Sequence, residues 1–180
     1  WSFQEFPPDG TCLYGKVIPP LGGDTLYTNQ QAALAAMPAE LRAKIDGKVG
    51  IHSARGGYAP DGQYGDDDAD RSMQIRPNDS AYATQLHPLI RTHPETGAET
   101  LYSTIGYIIG IDGMDDDDAR LLLGEMYAWQ TRDEFQYQHR WEPNMLVMWD
   151  NRCVFHNALN DYQGHRRHMH RVIVKGERPA

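Results

Sequence analysis

The residues best suited to chemistry lie near the end of the sequence. His156 follows a run that predicts a β-strand, and two arginines, Arg167 and Arg171, come after the next polar turn. If the segment from Arg167 to Val174 pairs as a strand, its side chains alternate and both arginines fall on one face. Burying a guanidinium in an apolar interior costs free energy unless it pairs with an anion. Its planar set of N–H donors matches the oxygens of a carboxylate, sulfonate or phosphate. The pattern therefore predicts an anion-binding face beside His156.

Composition limits the class of protein. A chain of 180 residues with 40% hydrophobic content can bury one sizeable core, which predicts a single domain over residues 1–180. The formal net charge of −8 argues against a nucleic-acid partner, so the basic residues between His165 and Arg171 do not indicate a nucleic-acid patch. Cys12 and Cys153 form no paired motif, which favours buried thiols in a reducing, cytoplasmic compartment.

The sequence has neither a membrane span nor a secretory signal in its pattern. No run reaches the ~18 apolar residues of a transmembrane helix. The first residues also lack the basic segment and the apolar segment of a signal peptide. The chain begins at Trp1, without Met, in what reads as a loop leading to a strand. We therefore expect a domain that is incomplete at its N-terminus.

Many short strands and few helices predict a mainly β protein with helices, of the α+β class, built as a sandwich or jelly roll. A helix pair is expected between Asn29 and Ile45, with Asn29 as N-cap, and the clearest helix over residues 115–131. The aspartates at its start favour the helix dipole, with metal binding as the alternative. The long segment from Arg55 to Thr84 is rich in Gly, Pro and Asp, and fits either an active-site lid or a solvated loop.

Three parts of the sequence carry a family resemblance. They are "SFQEFPPDGT…IPPLGGDTLYTN", "HPLIRTHPETG" and "MWDNRCVFHNALNDY…RRHMHR". Together they resemble the taurine dioxygenase and 2,4-dichlorophenoxyacetate dioxygenase family, which depends on Fe(II) and 2-oxoglutarate. The resemblance implies a double-stranded β-helix, or cupin-like barrel, and an enzyme that uses O2 to hydroxylate a small anionic substrate with release of succinate and CO2. It also implies a dimer or tetramer.

Site residues follow from the resemblance position by position. His156 matches an iron ligand of a facial triad formed by two histidines and one carboxylate. Arg167 matches the arginine that binds the distal carboxylate of 2-oxoglutarate, with help from the hydroxyl of Thr25. Arg171 matches the arginine that faces the anionic group of a sulfonate, alkyl sulfate or aryloxyalkanoate substrate. Without the family, Thr25 reads as a hydroxyl that caps a turn.

Two tyrosines are candidate substrate-binding residues, and one expected motif is missing. Tyr58 and Tyr107 fit the wall of a substrate pocket, although either could equally serve ordinary packing. The family's His-x-Asp pair, which supplies the other iron ligands, does not occur in these residues and is expected just before Trp1. The nearest pattern, His93 to Glu95, is expected in a surface hairpin instead.

Two other classes of protein remain open at this point. A non-catalytic, cupin-like anion-binding protein could use the same arginine pair without iron. A structural protein could carry the basic strand only for stability. Binding of Fe(II) with 2-oxoglutarate separates the first alternative from the enzyme, and stabilisation by 2-oxoglutarate separates the second.

Overall fold

The computed structural model describes residues 1–65 and 75–179, which form eleven strands, four α-helices and two short 3-10 helices. The strands are β1 (Gly10–Val17), β2 (Thr25–Asn29), β3 (Val49–Ser53), β4 (Thr84–Pro88), β5 (Ile90–Thr92), β6 (Glu99–Leu101), β7 (Ile108–Ile111), β8 (Gln136–His139), β9 (Leu146–Asp150), β10 (Val154–Ala158) and β11 (His168–Val174). The α-helices are α1 (Gln30–Ala35), α2 (Ala39–Ile45), α3 (Arg55–Tyr58) and α4 (Asp116–Gln130), and the 3-10 helices span Asp79–Tyr82 and Asp133–Phe135.

The strands pair antiparallel in small sheets. The strand orders are β11-β1-β9, β10-β2-β8 and β4-β3-β7, and β5 pairs with β6 in a hairpin. Neighbours in each three-stranded sheet are distant in sequence, so the turns alone do not fix the pairing. The mixture of strands and helices confirms the α+β prediction, while the described strands do not close into a barrel.

Helix α4 forms where the acidic run predicted it. Asp115 is the N-cap, and its side chain accepts a hydrogen bond from the backbone N–H of Asp117 at 2.9 Å. The aspartates of the first turn are exposed and lie at the positive end of the helix dipole. Ala119, Leu122 and Met126 form the buried stripe. The run is therefore a helix start.

The main hydrophobic core lies between the helices and strands β5 to β7. Asn29 caps α1 as predicted, since its side chain accepts from the N–H of Ala32 at 3.0 Å. The helices contribute Ile45 and Met126, and the strand segments contribute Leu101 and Ile111. Burying side chains of this size stabilises the fold by roughly 1.5 to 3 kcal/mol each. This core supports the sheets that carry the site without taking part in it.

The predicted strand at the end of the chain is shorter than expected. β11 begins at His168, so Arg167 precedes the strand, and the prediction that it shares a strand face with Arg171 is wrong. The expected alternation does hold within the strand, because the rings of His168 and His170 contact each other with centroids 5.0 Å apart. Arg171 is exposed, whereas the sequence predicted a buried guanidinium.

The segment from Arg55 to Thr84 is only partly described. It contains α3 and the 3-10 helix Asp79–Tyr82, while residues 66–74 of the predicted lid lie outside the described residues. No helix among the described residues is long and apolar enough to cross a bilayer. The two cysteines are free, and both are half-buried where the sequence predicted buried thiols.

Candidate active site

One face of the sheet β10-β2-β8 gathers most of the chemistry. Residues that stand directly opposite each other in antiparallel strands point to the same face, as do residues two apart in one strand. His156 pairs with Tyr27, and His139 pairs with Thr25. These four side chains therefore project from one face, which we call the inner face.

A double-glycine turn places Arg167 over this face. Gly23 adopts a φ of +73°, and a Cβ at this position would lie 3.2 Å from both Cδ and Nε of Arg167. Its backbone N–H donates to Oδ1 of Asp161 at 2.7 Å, which ties the start of β2 to the segment that carries Arg167. Glycine is favoured here because other residues are strained at this positive φ, and the arginine side chain lies close to the turn.

The half-buried Arg167 lies between two aromatic rings. Its Cζ is 6.0 Å from the ring centroid of Trp141 and 5.8 Å from that of Tyr162. The indole of Trp141 donates in turn to Oγ1 of Thr25 at 3.0 Å. Because the Thr25 oxygen accepts this bond, its own hydroxyl hydrogen remains available to a ligand.

Several buried polar atoms of Arg167 and of residues at the inner face have no hydrogen-bond partner among the described residues. They are Nε and Nη2 of Arg167, the Tyr27 hydroxyl, Nε2 of His139 and Nε1 of Trp149. The Tyr27 hydroxyl lies near Thr25 but lacks hydrogen-bond geometry. An unpaired buried polar group costs about 1 to 3 kcal/mol. We call Thr25, Tyr27, His139, Trp149 and Arg167 the anion cluster, because all can donate and one is a cation.

A cavity of about 280 Å³ opens beside the anion cluster. It is lined by four of the predicted site residues, His156, Arg171, Tyr58 and Tyr107. Thr25 and Arg167 lie outside its lining. The sequence therefore identified residues in two neighbouring places, the cavity and the anion cluster.

His156 lies where the cavity meets the anion cluster. Its ring centroid is 4.8 Å from that of Trp149 and 6.5 Å from that of Tyr27, and its other side is exposed to the cavity. Burial among the surrounding protein atoms, reinforced by the charge of Arg171, lowers the pKa of His156 to about 4. The ring is therefore neutral at pH 7, the form in which a histidine binds a metal.

An aromatic wall borders the cavity. The guanidinium of Arg171 lies 4.8 Å above the ring of Trp1, and Phe3 packs edge-on against Tyr107 at 4.9 Å. Tyr58 is 6.4 Å from Phe3 and interacts with Tyr107. Burial, reinforced by Tyr58, raises the pKa of Tyr107, so its hydroxyl stays protonated. Both tyrosines are half-buried side chains of a pocket wall.

The predicted hairpin at His93 forms, because β5 and β6 pair across the exposed turn of residues 94–97, but His93 itself lies in a buried polar network. Nε2 of His93 bonds to Oδ2 of Asp150 at 3.0 Å, and Arg152 binds both Asp150 and Glu95. Only 4% of His93 is exposed. Burial opposes ionisation of Asp150, but the hydrogen bonds from Arg152 and His93 outweigh it and lower the pKa of Asp150 to about 2.

This network does not provide a free metal site. The ligand atoms of His93, Asp150 and Cys153 lie within 4.8 Å of one another. However, Nδ1 of His93 faces the backbone N–H groups of Glu95 and Thr96 at 3.3 Å, so this hydrogen-bond pattern places the ring proton on Nε2. Neither ring nitrogen then has a free lone pair, and Asp150 is already neutralised by its arginine.

The whole arrangement has a match among known proteins. Residues 1–173 match the family described as "Taurine catabolism dioxygenase TauD, TfdA family". The chain belongs to this family. The match covers the inner face, the cavity and the arginine-bearing strand, so the TauD/TfdA resemblance extends over all parts of the candidate site.

Individual relatives agree with the family match. The chain is 34% identical, over 174 residues, to the alpha-ketoglutarate-dependent 2,4-dichlorophenoxyacetate dioxygenase of Cupriavidus pinatubonensis, covering 96% of this chain and 57% of the relative. It is 30% identical over 178 residues to an alkylsulfatase of Acinetobacter baylyi, covering 98% of this chain and 55% of the relative. The chain thus spans little more than half the length of these curated relatives.

A solved TauD/TfdA-like structure has the same architecture. The crystal structure of AAD-2 in complex with Mn(II) and N-oxalylglycine superposes with a TM-score of 0.83 at 30% identity, covering 99% of this chain and 67% of that chain. A likeness of this extent places the strands of the two proteins in the same order in space.

Sequence reasoning missed several members of the site. Tyr27, His139 and Trp149 drew no attention because tyrosine, histidine and tryptophan in strands are usually packing residues. A period-two pattern was present, with Thr25 and Tyr27 in one strand and His139 followed by Trp141 near another. Only the strand pairing reveals that these residues face one another.

Proposed function

We propose that this protein is an Fe(II)- and 2-oxoglutarate-dependent dioxygenase that hydroxylates a small anionic substrate with release of succinate and CO2. The single observation that carries this proposal is the anion cluster, whose buried donors surround a guanidinium with no ion pair among the described residues. His156 lies between that cluster and a cavity that carries a second guanidinium, Arg171. One carboxylate of a dicarboxylate can bind Arg167 there, while a separate anionic substrate binds Arg171.

The anion cluster fits the distal carboxylate of 2-oxoglutarate. Arg167 offers two unpaired N–H groups, and the Thr25 hydroxyl can donate from the sheet below. A charge-assisted contact of this kind contributes about 1.5 to 3 kcal/mol. With its distal end held here, the 2-oxo acid end of the molecule points toward His156.

The described residues supply only part of an iron-binding site. His156 offers one neutral imidazole, but the described lining of the cavity includes neither Asp nor Glu, and the 180 residues contain no His-x-Asp pair. We propose His156 as one ligand of the facial triad that the family resemblance implies. Bound iron with a 2-oxo acid supplies the activation of O2 for oxidation of a C–H bond.

Arg171 is the proposed contact for the substrate's charge. Its position over Trp1, on the cavity wall, leaves the guanidinium open to a sulfonate, sulfate ester or carboxylate. Tyr58 and Tyr107 form a wall suited to the apolar part of such a molecule. These residues would orient the reactive carbon toward His156 and reduce the access of water to it.

We also propose that the described sheets form part of a double-stranded β-helix, or jelly roll, in one domain. Support comes from the likeness to AAD-2 and from the antiparallel pairing of distant strands. In such a fold, ligands bind between the sheets, which is where the inner face lies.

Anaerobic titration tests the proposal. Fe(II) and 2-oxoglutarate added to the native full-length protein should give a metal-to-ligand charge-transfer absorption band, and Arg167→Ala should require far more 2-oxoglutarate to reach it. Arg120→Ala, on the exposed face of α4, is the matched control and should titrate like the wild type. If no band appears, while 2-oxoglutarate still raises the melting temperature, the protein is a non-catalytic anion-binding protein instead.

A further inference from the structure

We propose that Tyr27 and His139 are direct ligands of the distal carboxylate of 2-oxoglutarate, completing a subsite with Arg167 and Thr25. The inference rests on the proposed function and adds two binding residues to it.

The strand register places both residues around Thr25. Tyr27 is two residues along the same strand, and His139 stands directly opposite Thr25 on β8. All three side chains therefore leave the sheet on the inner face. The ring centroids of Tyr27 and His139 are 6.4 Å apart, so the two side chains are neighbours on this face.

Tyr27 is poised to donate its hydroxyl hydrogen. The side chain is buried, with 8% exposed, and its oxygen has no partner among the described residues. Burial raises the pKa of Tyr27 to about 12 even though the nearby charge of Arg167 acts in the opposite direction. The hydroxyl therefore remains protonated and needs an acceptor.

His139 is held in place by an edge-on contact with Trp141. The ring centroids are 4.7 Å apart and the planes are almost perpendicular at 87°. Trp141 is fixed by its own bond to Thr25 and lies under Arg167. Nε2 of His139 is nevertheless buried and unpaired among the described residues. The ring therefore packs against the same indole that Arg167 contacts, with Nε2 free for a ligand.

A carboxylate can use these additional donors. Its two oxygens offer about four acceptor sites, of which the free N–H groups of Arg167 fill two. Donors from the sheet face can fill the others. These donor atoms have no partner within the described part of the protein, and native structures satisfy such buried groups with a ligand or ordered water.

The test compares two ligands that differ only in the distal carboxylate. N-oxalylglycine carries it and N-methyloxamate lacks it, while both retain the same chelating end. Binding of each to the native full-length protein loaded with Mn(II) is measured by calorimetry. The variants are Tyr27→Phe and His139→Phe, with Tyr137→Phe as a matched control, because Tyr137 lies opposite Tyr27 but is 63% exposed.

Tyr27→Phe and His139→Phe should each weaken N-oxalylglycine roughly tenfold or more and leave N-methyloxamate unchanged, whereas Tyr137→Phe should leave both unchanged. Tyr27→Phe removes only the hydroxyl and keeps the aromatic ring, so this variant still tests the inference if His139→Phe fails to fold. Unchanged N-oxalylglycine affinity in Tyr27→Phe, or equal weakening of the two ligands, would overturn the inference and leave the proposed function standing. A wild-type protein that binds neither ligand would overturn both.

Discussion

Trp149 at the end of β9 packs its indole against the imidazole of His156 on β10, with ring centroids 4.8 Å apart and planes inclined by 54°. Tyr27 contacts the other part of the same indole at 5.2 Å. The histidine proposed to bind iron is therefore supported by a buried aromatic side chain from a different sheet. This contact couples the sheet β11-β1-β9 to the inner face.

Trp149→Ala should lower the free energy of unfolding by about 3 to 5 kcal/mol, because it removes a large buried ring and leaves a cavity. Denaturant unfolding followed by circular dichroism measures the loss. Tyr127→Ala, at a 40% exposed position on α4, is the control and should change the stability by less than about 0.5 kcal/mol. Equal effects of the two substitutions would contradict the packing role of Trp149.

Asp150 should make the protein sensitive to strong acid. Its folded pKa of about 2 lies below the ordinary 3.8, so the stabilisation is present above pH 3.8 and is lost as the pH falls toward 2. The linked free energy is on the order of 2 kcal/mol. Unfolding measured between pH 5 and pH 2 should show a shallower pH dependence in Asp150→Asn than in the wild type. Asp118→Asn, at the exposed start of α4, should retain the full dependence.

His52 should impose a second pH dependence of stability, which begins at less acidic pH. Burial, followed by the charge of His87, lowers the pKa of His52 to about 3, so the folded state excludes a proton that the unfolded state binds below about pH 6.5. Stability is therefore expected to fall as the pH is lowered from 6.5 toward 3. Thermal unfolding of His52→Gln should show a reduced slope in this range, and the exposed His165→Gln should not. An unchanged slope in His52→Gln would show that His52 is not responsible.

Arg171→Gln should lower kcat/KM for an anionic substrate by roughly 10² while the requirement for 2-oxoglutarate changes little. Steady-state kinetics with a matched pair of substrates, an acid and its neutral amide, isolates the effect. The control Arg120→Gln should behave like the wild type. If the neutral amide is hydroxylated as well as the acid, Arg171 does not recognise a charge.

The local parts of the fold could be predicted from the sequence. Helix α4 has a capping aspartate and a buried stripe, and α1 begins at Asn29, so both follow from residue type and spacing. The pairing of β2 with β8 and β10 could not be predicted, because it joins segments more than a hundred residues apart. Strand alternation alone does not say which strands meet.

The candidate site was predictable only where residue chemistry is distinctive. Arginines and a lone histidine drew attention to Arg167, Arg171 and His156, and three of the five other predicted residues line the same cavity as His156. The predicted strand position of Arg167 was wrong, since β11 begins one residue later, and its side chain lies close to the turn at Gly23.

Formation of succinate from 2-oxoglutarate tests the central claim most directly. The native full-length protein, supplied with Fe(II), O2 and 2-oxoglutarate, should produce succinate, and His156→Ala should abolish it because the proposed metal site loses a ligand. His165→Ala, an exposed histidine outside the site, should leave the rate unchanged. Succinate formation at the wild-type rate in His156→Ala, or its absence in the wild type with each component present, would contradict the assignment.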